Sequence, residues 1–193
     1  MALSIGPLKT RCAVFISGTG SNLNSLIKFS KLNHSPISIN IIFSDNKHAK
    51  GLKYGDIHNI KKKVINFENK KIAEKKILKE LEKNKIQLIC LAGFMKILSK
   101  YLIKNFKGKI INIHPSLLPK YKGLNTHKRV IENKENYSGC TVHYVNSKLD
   151  SGKVILKKKV KILKKDTPKT LAKKILDQEH KLYPKAILKI FNS

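Results

Sequence analysis

Residues 110–119 read IINIHPSLLP, an apolar run that leads into two prolines. The run predicts the end of a buried strand. The prolines and a later glycine predict that a loop of defined conformation follows it. Residues two apart in a strand point to the same face, so Asn112 and His114 can project their polar groups together. An amide donor beside an imidazole suits stabilisation of an oxyanion and proton transfer. The pair is common, so a strand-end histidine satisfied by backbone groups is the alternative.

A carboxylate beside His114 would complete a catalytic group of amide, imidazole and carboxylate. Residues 149–152 read LDSG. If this segment folds back toward the strand end, Asp150 would hold the imidazole and stabilise its charged form. Asn112, His114 and Asp150 are therefore the candidate catalytic residues.

Short apolar runs rich in β-formers alternate with helical patterns, which favours βαβ units and a mostly parallel sheet. Strands are predicted at 12–16, 37–43, 63–67, 86–91, 110–114, 140–145 and 154–160. Helices are predicted at 22–32, 47–58, 70–84, 99–106, 126–133 and 168–191. The expected fold class is α/β, a Rossmann-like, mostly parallel sheet with helices on both faces. At this length one well-buried core is expected.

A second polar segment lies between the first predicted strand and the first predicted helix, where residues 17–22 read SGTGSN. Glycines let the backbone approach an anion closely, and a helix start supplies free N–H groups and a favourable dipole. The segment lacks both the GK[ST] of a Walker loop and the full G-x-G-x-x-G spacing. It predicts a site for one phosphate, with a tight structural turn as the equal alternative.

The net charge is +29, from 41 Lys and Arg against 12 Asp and Glu. Such a field attracts nucleic acid, anionic membranes or anionic metabolites. Only Arg11 and Arg129 are arginines, whereas sites that read bases or grip phosphate favour arginine. The lysines are spread along the chain, which indicates a drift in composition, and no specific nucleic-acid partner is predicted. A nucleic-acid-binding module that has lost catalysis stays open as the alternative from a different class.

The sequence contains no apolar run of about 18 residues, so no membrane span is predicted. The N-terminal MALSIGPLKTR has no basic segment followed by an apolar one, so no secretory signal is predicted. Cys12, Cys90 and Cys140 stand singly in apolar runs. Without CxxC spacing they predict neither a metal site nor a disulfide framework. Buried reduced thiols favour a cytoplasmic protein.

Several motifs together resemble those of the phosphoribosylglycinamide formyltransferase family, in the family's order from residue 14 to about 184. They are ISGTGSNL at 16–23, LAGFM at 91–95, NIHPSLLPKYKGLNTH at 112–127, TVHYV at 141–145, LDSG at 149–152 and QEH at 178–180. The resemblance implies a folate-dependent transferase of purine (IMP) biosynthesis. Such an enzyme moves a formyl group from 10-formyltetrahydrofolate to the amine of glycinamide ribonucleotide, without a metal.

The resemblance also implies roles for individual residues. Asn112 would donate to the oxyanion, His114 would act as general acid, and Asp150 would tune His114. The residues implied for the ribonucleotide are Gly20, Ser21, Asn22, Leu23, Asn24 and Glu179. The residues implied for the folate are Lys70, Met95, Lys96, Ile97, Leu98, Asn112, Asn146, Ser147, Lys148, Leu149 and Asp150. Core packing is the alternative for Met95, Ile97 and Leu98, and a solvated helix carboxylate is the alternative for Glu179. No role is predicted for His127 or His143.

On the same basis, residues 1–193 are expected to form a single formyltransferase domain. Its phosphate-binding half would span about 11–100, and its catalytic and folate-binding half about 101–193. A monomer or homodimer with two small-molecule substrates is expected, without a membrane partner.

Four positions depart from the family pattern and bear on substrate affinity. Lys122 stands where proline is common, Asn125 where histidine is usual, Lys70 where arginine is frequent, and Leu176 where a polar residue is usual. Methionyl-tRNA formyltransferase and formyltetrahydrofolate hydrolase are the alternatives within the same chemistry. Both carry an additional domain, and both lack the continuation GLNTH at 123–127, so the chain length and this segment disfavour them.

Overall fold

The computed structural model describes residues 9–192, and its centre is a seven-stranded sheet. The strands are β1 (Thr10–Ile16), β2 (Ile37–Ser44), β3 (Lys61–Val64), β4 (Leu88–Leu91), β5 (Lys109–His114), β6 (Tyr137–Tyr144) and β7 (Val154–Lys161). Their order across the sheet is β3-β2-β1-β4-β5-β6-β7. The first five strands are parallel, whereas β6 and β7 are each antiparallel to the preceding strand. The predicted α/β class with a mostly parallel sheet is confirmed. The predicted absence of a secretory signal concerns residues that lie mostly outside the described range.

Within residues 9–192, five α-helices lie between strands and a sixth follows β7. They are α1 (Ser21–Ser30), α2 (Lys53–Ile57), α3 (Lys70–Lys83), α4 (Lys100–Asn105), α5 (Thr126–Glu132) and α6 (Pro168–Phe191). The last helix begins at the predicted residue, because Thr167 caps it by accepting from the Thr170 N–H and Pro168 occupies its first turn. No helix in the described range is both long enough and apolar enough to cross a membrane.

Two apolar cores lie on opposite faces of the sheet. Along β1, Cys12, Val14 and Ile16 belong to the core that includes residues of α1 and α6, and Ala13 and Phe15 to the core that includes residues of α3 and α4. Successive side chains of a strand point to opposite faces, so one buried strand serves both cores. Helices therefore cover both faces, as predicted.

Two predicted elements differ from the structure. The helix predicted at 47–58 is a short 3-10 turn, Lys50–Leu52, followed by α2. The N–H of Gly51 donates to the Gly18 carbonyl at 3.0 Å, so the contact with the loop at 17–20 replaces a regular helical bond. The strand predicted at 63–67 lies at Lys61–Val64, where it pairs with residues 41–44 of β2. Register is set by the partner strand, which local composition does not indicate.

A proline inside α6 joins this helix to α1. Pro184 has no N–H to donate to the carbonyl of His180, four residues before it. The hydroxyl of Ser25, in α1, donates to that carbonyl at 2.9 Å instead. The hydroxyl of the buried Tyr183 lies 3.0 Å from the Leu91 carbonyl at the end of β4 and 3.2 Å from a carbonyl of β5. These contacts hold α6 against α1 and against the strand ends that carry the site.

Candidate active site

Asn112 and His114 lie at the carboxyl end of β5 and line a cavity of about 540 Å³. The ends of the parallel strands β1, β4 and β5 meet at this edge, where open α/β sheets bind their ligands. His114 is buried and Asn112 is half-buried. The β5 backbone therefore presents an amide and an imidazole to one enclosed space.

Asp150 reaches the same cavity from the turn after residues 146–149. Its Oδ2 lies 3.4 Å from Nδ1 of His114 and accepts from the Gly123 N–H at 2.9 Å. Gly152 approaches the Tyr144 carbonyl so closely that a Cβ at position 152 would overlap it. A larger residue would push this turn away from the strand, so Gly152 allows Asp150 to reach the histidine.

His143 lies between Asn112 and Asp150. It is paired with Asn112 in the β5–β6 register, and its Nε2 lies 3.3 Å from the Asn112 amide nitrogen and 3.7 Å from Oδ1 of Asp150. Burial lowers the pKa of His143, which favours the neutral ring. Its Nδ1 lies 2.8 Å from the Tyr144 carbonyl and must be the donor there, so Nε2 accepts from Asn112. The neutral histidine thus orients the amide of Asn112 with its nitrogen toward β6.

The two ring nitrogens of His114 have different partners. Nε2 lies 2.8 Å from the Tyr121 carbonyl, which can only accept, so Nε2 carries a proton. Nδ1 faces Asp150 at 3.4 Å. A ring held in this way can exchange a proton with the cavity at Nδ1.

The start of α1 lies beside the cavity, because its second residue, Asn22, lines it. Gly20 precedes the helix with a φ of 73°, and a Cβ there would lie 2.6 Å from the Gly51 Cα. Only glycine fits this close approach and this left-handed conformation. The first helical bond runs from the Asn24 N–H to the Gly20 carbonyl, so the N–H groups of residues 21–23 lack a partner within the helix. Such an end is a ready anion site.

Glu179 and Asn22 line the cavity next to this helix start. The Asn22 amide nitrogen donates to Oε2 of Glu179 at 2.7 Å, while the Asn22 Oδ1 is buried without a partner. Glu179 is only 6% exposed, so it is not a solvated helix carboxylate. Burial raises the pKa of Glu179 to about 7, although the hydrogen bond from Asn22 lowers it in part. A buried carboxyl group beside an unpaired amide oxygen suits a ligand that brings its own N–H or O–H donors.

Residues 93–98 and residues 146–150 line a second part of this cavity, the slot. Met95 is 61% exposed and Ile97 60% exposed, whereas Leu98 is buried in the core that includes α3 and α4. Core packing therefore accounts for Leu98 but not for Met95 or Ile97. The Met95 N–H donates to Oγ of Ser17 at 2.8 Å, and this hydroxyl donates to Asp45 at 2.5 Å. The hydrogen bond to Ser17 thereby joins the slot to the loop at 17–20.

Most of the predicted site residues line this one cavity. The predicted residues that do not line it are Gly20, Ser21, Leu23, Asn24 and Lys70. The first four flank the lining residue Asn22, and because the Leu23 side chain is fully buried, only its backbone can meet a ligand. Lys70 is exposed at the first residue of α3. In residues 9–192 no group of three or more His, Cys, Asp and Glu side chains is placed to hold a metal ion.

Sequence reasoning missed three groups that surround the candidate catalytic residues. His143 contacts Asn112 and Asp150, and the Tyr121 carbonyl contacts His114. His127 lines the cavity with its Nδ1 buried and unpaired, and burial lowers its pKa. His143 could have been found only by knowing that β6 pairs with β5, because its link to Asn112 is a cross-strand pair.

Comparison with known proteins places the chain in one family. Residues 10–187 match the formyl transferase family. Phosphoribosylglycinamide formyltransferase of Escherichia coli is 36% identical over 90% of this chain and 84% of its own length, and that of Haemophilus influenzae is 39% identical over 92% and 85%. The bovine trifunctional purine biosynthetic protein adenosine-3 is 40% identical over 95% of this chain. The chain spans 18% of the length of that relative.

Solved structures agree with these sequence matches. The phosphoribosylglycinamide formyltransferase of Brucella melitensis superposes with a TM-score of 0.89 at 40% identity, covering 95% of this chain and 96% of its own. That of Bacillus halodurans has a TM-score of 0.90 at 32% identity, covering 94% and 95%. By its motifs, its fold and these matches, the chain belongs to the phosphoribosylglycinamide formyltransferase group of the formyl transferase family.

Proposed function

We propose that this chain transfers the formyl group of 10-formyltetrahydrofolate to the amine of glycinamide ribonucleotide, in de novo purine biosynthesis. The observation that carries the proposal is the meeting of Asn112, His114 and Asp150 in one cavity. That cavity adjoins a helix start suited to a phosphate and includes the slot, where Met95 and Ile97 expose apolar side chains.

The ribonucleotide phosphate binds to the free N–H groups at the start of α1 in this proposal. Its glycinamide and ribose groups extend toward Asn22 and Glu179, whose buried oxygens accept hydrogen bonds from them. The folate ring enters the slot between Met95 and residues 146–150. The formyl carbon then lies next to Asn112 and His114, where the two substrates meet.

The first step is attack of the amine on the formyl carbon. A new C–N bond forms, and the electron pair of the carbonyl moves onto oxygen. The Asn112 nitrogen carries two hydrogens, of which one is directed to His143. The second donates to the oxyanion, as preorganised donors do in acyl-transfer sites.

The second step is departure of the folate nitrogen. The electron pair on the oxyanion re-forms the carbonyl as the bond between the formyl carbon and that nitrogen breaks, and His114 gives the proton of Nδ1 to the departing nitrogen. Asp150, 3.4 Å from Nδ1, stabilises the charged ring before this transfer. The ring regains a proton from the former amine, so one proton moves from amine to folate in each turnover.

The remaining assignments follow from this reaction. The ligands are the ribonucleotide and the formyl-folate, with no metal, no specific nucleic acid and no membrane. The folate-binding set includes Lys96 at the mouth of the slot and Lys70 on α3. We propose a cytoplasmic enzyme that is a monomer or homodimer, built as one domain with phosphate-binding and catalytic halves.

A spectrophotometric formyl-transfer assay tests the proposal. The donor is a 10-formylfolate analogue that absorbs on deformylation, measured with and without glycinamide ribonucleotide at moderate salt. Absorbance change that requires the ribonucleotide supports the assignment. Deformylation without the acceptor would indicate a hydrolase, and no reaction from a folded sample would overturn the proposal.

A further inference from the structure

The Tyr121 carbonyl is a contact of His114 that the reaction itself does not use. It accepts from Nε2 at 2.8 Å and thereby determines which nitrogen of the neutral ring carries the proton. The Tyr121 side chain does not line the active-site cavity. Whatever holds Tyr121 in place therefore acts on the reaction through the backbone of this loop, which contacts His114 at Tyr121 and Asp150 at Gly123.

Tyr121 has a left-handed backbone conformation, with φ of 56°. A residue with a side chain persists in this region where its surroundings hold it. The Tyr121 hydroxyl donates to Oε1 of Glu135 at 2.9 Å and accepts from the Asn133 amide nitrogen at 3.0 Å. Lys120 also donates to Oε1 of Glu135, at 2.9 Å. Asn133 and Glu135 directly follow α5, so the segment after that helix anchors the loop.

Arg129, a residue of α5, contacts the same loop. Its guanidinium lies 5.4 Å from the centre of the Tyr121 ring. Its Nη1 donates to the Lys122 carbonyl at 2.7 Å and to the Leu124 carbonyl at 3.4 Å. A planar guanidinium can cover a ring while its edge donates to backbone carbonyls, which a lysine ammonium cannot do in the same way. In a chain whose basic residues are nearly all lysine, this position is one of two arginines.

We propose that Arg129, Tyr121 and Glu135 form a loop clamp that keeps the proton of neutral His114 on Nε2 and turns Nδ1 toward Asp150. These are positioning residues, because they act on His114 and touch no substrate. The inference deepens the proposed function and rests on it for its effect on turnover. Its effect on the ring can be measured in the free protein.

The first measurement is the protonation site of His114, by nitrogen NMR of the 15N-histidine-labelled protein at alkaline pH, where the ring is neutral. A His114→Gln variant identifies the resonances of this ring. We expect the wild type to carry its proton on Nε2. Arg129→Ala and Tyr121→Phe should each give a mixture of the two tautomers, whereas Lys128→Ala, an exposed neighbour on α5, should match the wild type.

The second measurement is turnover of the same variants. Loss of the clamp should lower kcat at least about tenfold and leave the KM of both substrates within about twofold, because no clamp side chain lines the cavity while the proton donor is misoriented. A wild-type tautomer in both variants overturns the inference. So does a fall in kcat without any change of tautomer. If the variants shift the tautomer but the wild type transfers no formyl group, the inference about the clamp stands and the proposed function is refuted.

Discussion

At the scale of single residues, Asp150 is the polar group that joins the two histidines of the site to the loop at Gly123. Its carboxylate lies near the rings of His114 and His143 and accepts from the Gly123 N–H. Its backbone has φ of 46°, a conformation that costs about 1 kcal/mol for a residue with a side chain. The surrounding contacts maintain this conformation, which is common at functional sites.

We expect Asp150→Asn and His114→Ala each to lower kcat at least about a hundredfold, because preorganised polar groups contribute about 3–4 kcal/mol. Asparagine retains the shape of Asp150 and an acceptor for Gly123, so its effect reports the lost charge. The exposed His34→Ala is the control and should behave as the wild type. Near-normal turnover in either site variant would refute these roles, provided that circular dichroism shows a folded protein.

Glu179 predicts a specific dependence of stability on pH. Burial raises its pKa from the usual 4.5 to about 7. Between these values the folded chain holds a proton that the unfolded chain has released, so stability falls as pH rises through this window. The loss is on the order of 3 kcal/mol for the shift given above.

Glu179→Gln removes this titration while keeping an acceptor for Asn22. We expect the variant to gain stability relative to the wild type between pH 5 and pH 7.5, measured by denaturant unfolding at each pH. The same substitution at the exposed Glu68 serves as control. Parallel stability curves for the wild type and Glu179→Gln would contradict the raised pKa, since other titrating groups cancel in the difference.

At the scale of elements, a residue of α1 replaces one hydrogen bond that α6 lacks. Pro184 leaves the His180 carbonyl without its helical donor, and Ser25 supplies the replacement. Asn22 and Glu179, which pair across the same two helices, lie next to this junction. The helix defect and the pair of Asn22 and Glu179 therefore share the interface between α1 and α6.

A double-mutant cycle tests this junction. Ser25→Ala should destabilise the chain by about 1–3 kcal/mol, because it leaves a carbonyl unsatisfied. In a Pro184→Ala background the helix can supply its own N–H, so the cost of Ser25→Ala should fall clearly. Ser30→Ala, whose hydroxyl donates only within α1, is the control. If chemical denaturation shows that Ser25→Ala lowers the free energy of unfolding equally in both backgrounds, the Ser25 hydroxyl does not replace the missing helical N–H.

At the scale of the whole molecule, positive charge dominates the surface. Both edge strands of the sheet carry it: residues 61–63 of β3 and 157–159 of β7 are all lysine. Lysines on an edge oppose pairing with another chain. With 41 basic and 12 acidic residues, most basic side chains have no acidic partner of their own. The net charge thus protects the edges and destabilises the folded state through self-repulsion.

We expect the melting temperature to rise with salt. The screening length falls from about 30 Å at 10 mM to about 8 Å at 150 mM, so repulsion between exposed lysines should weaken over this range. A rise of at least about 3 °C, measured by calorimetry, corresponds to roughly 1 kcal/mol for a chain of this size. Sucrose at equal osmolality is the control. A melting temperature independent of salt would show that the repulsion is not significant.

The sequence by itself determined the features that depend on local periodicity. Alternation along strands placed Asn112 and His114 on one face, capping residues marked the start of α6, and glycines marked the turn before α1. Tertiary structure decided the contacts between distant segments. Pairing of β6 with β5 brought His143 to Asn112, and the clamped loop brought the Tyr121 carbonyl to His114. The reason is physical: periodicity is recorded in neighbouring residues, whereas strand order and loop closure depend on the packing of the complete chain.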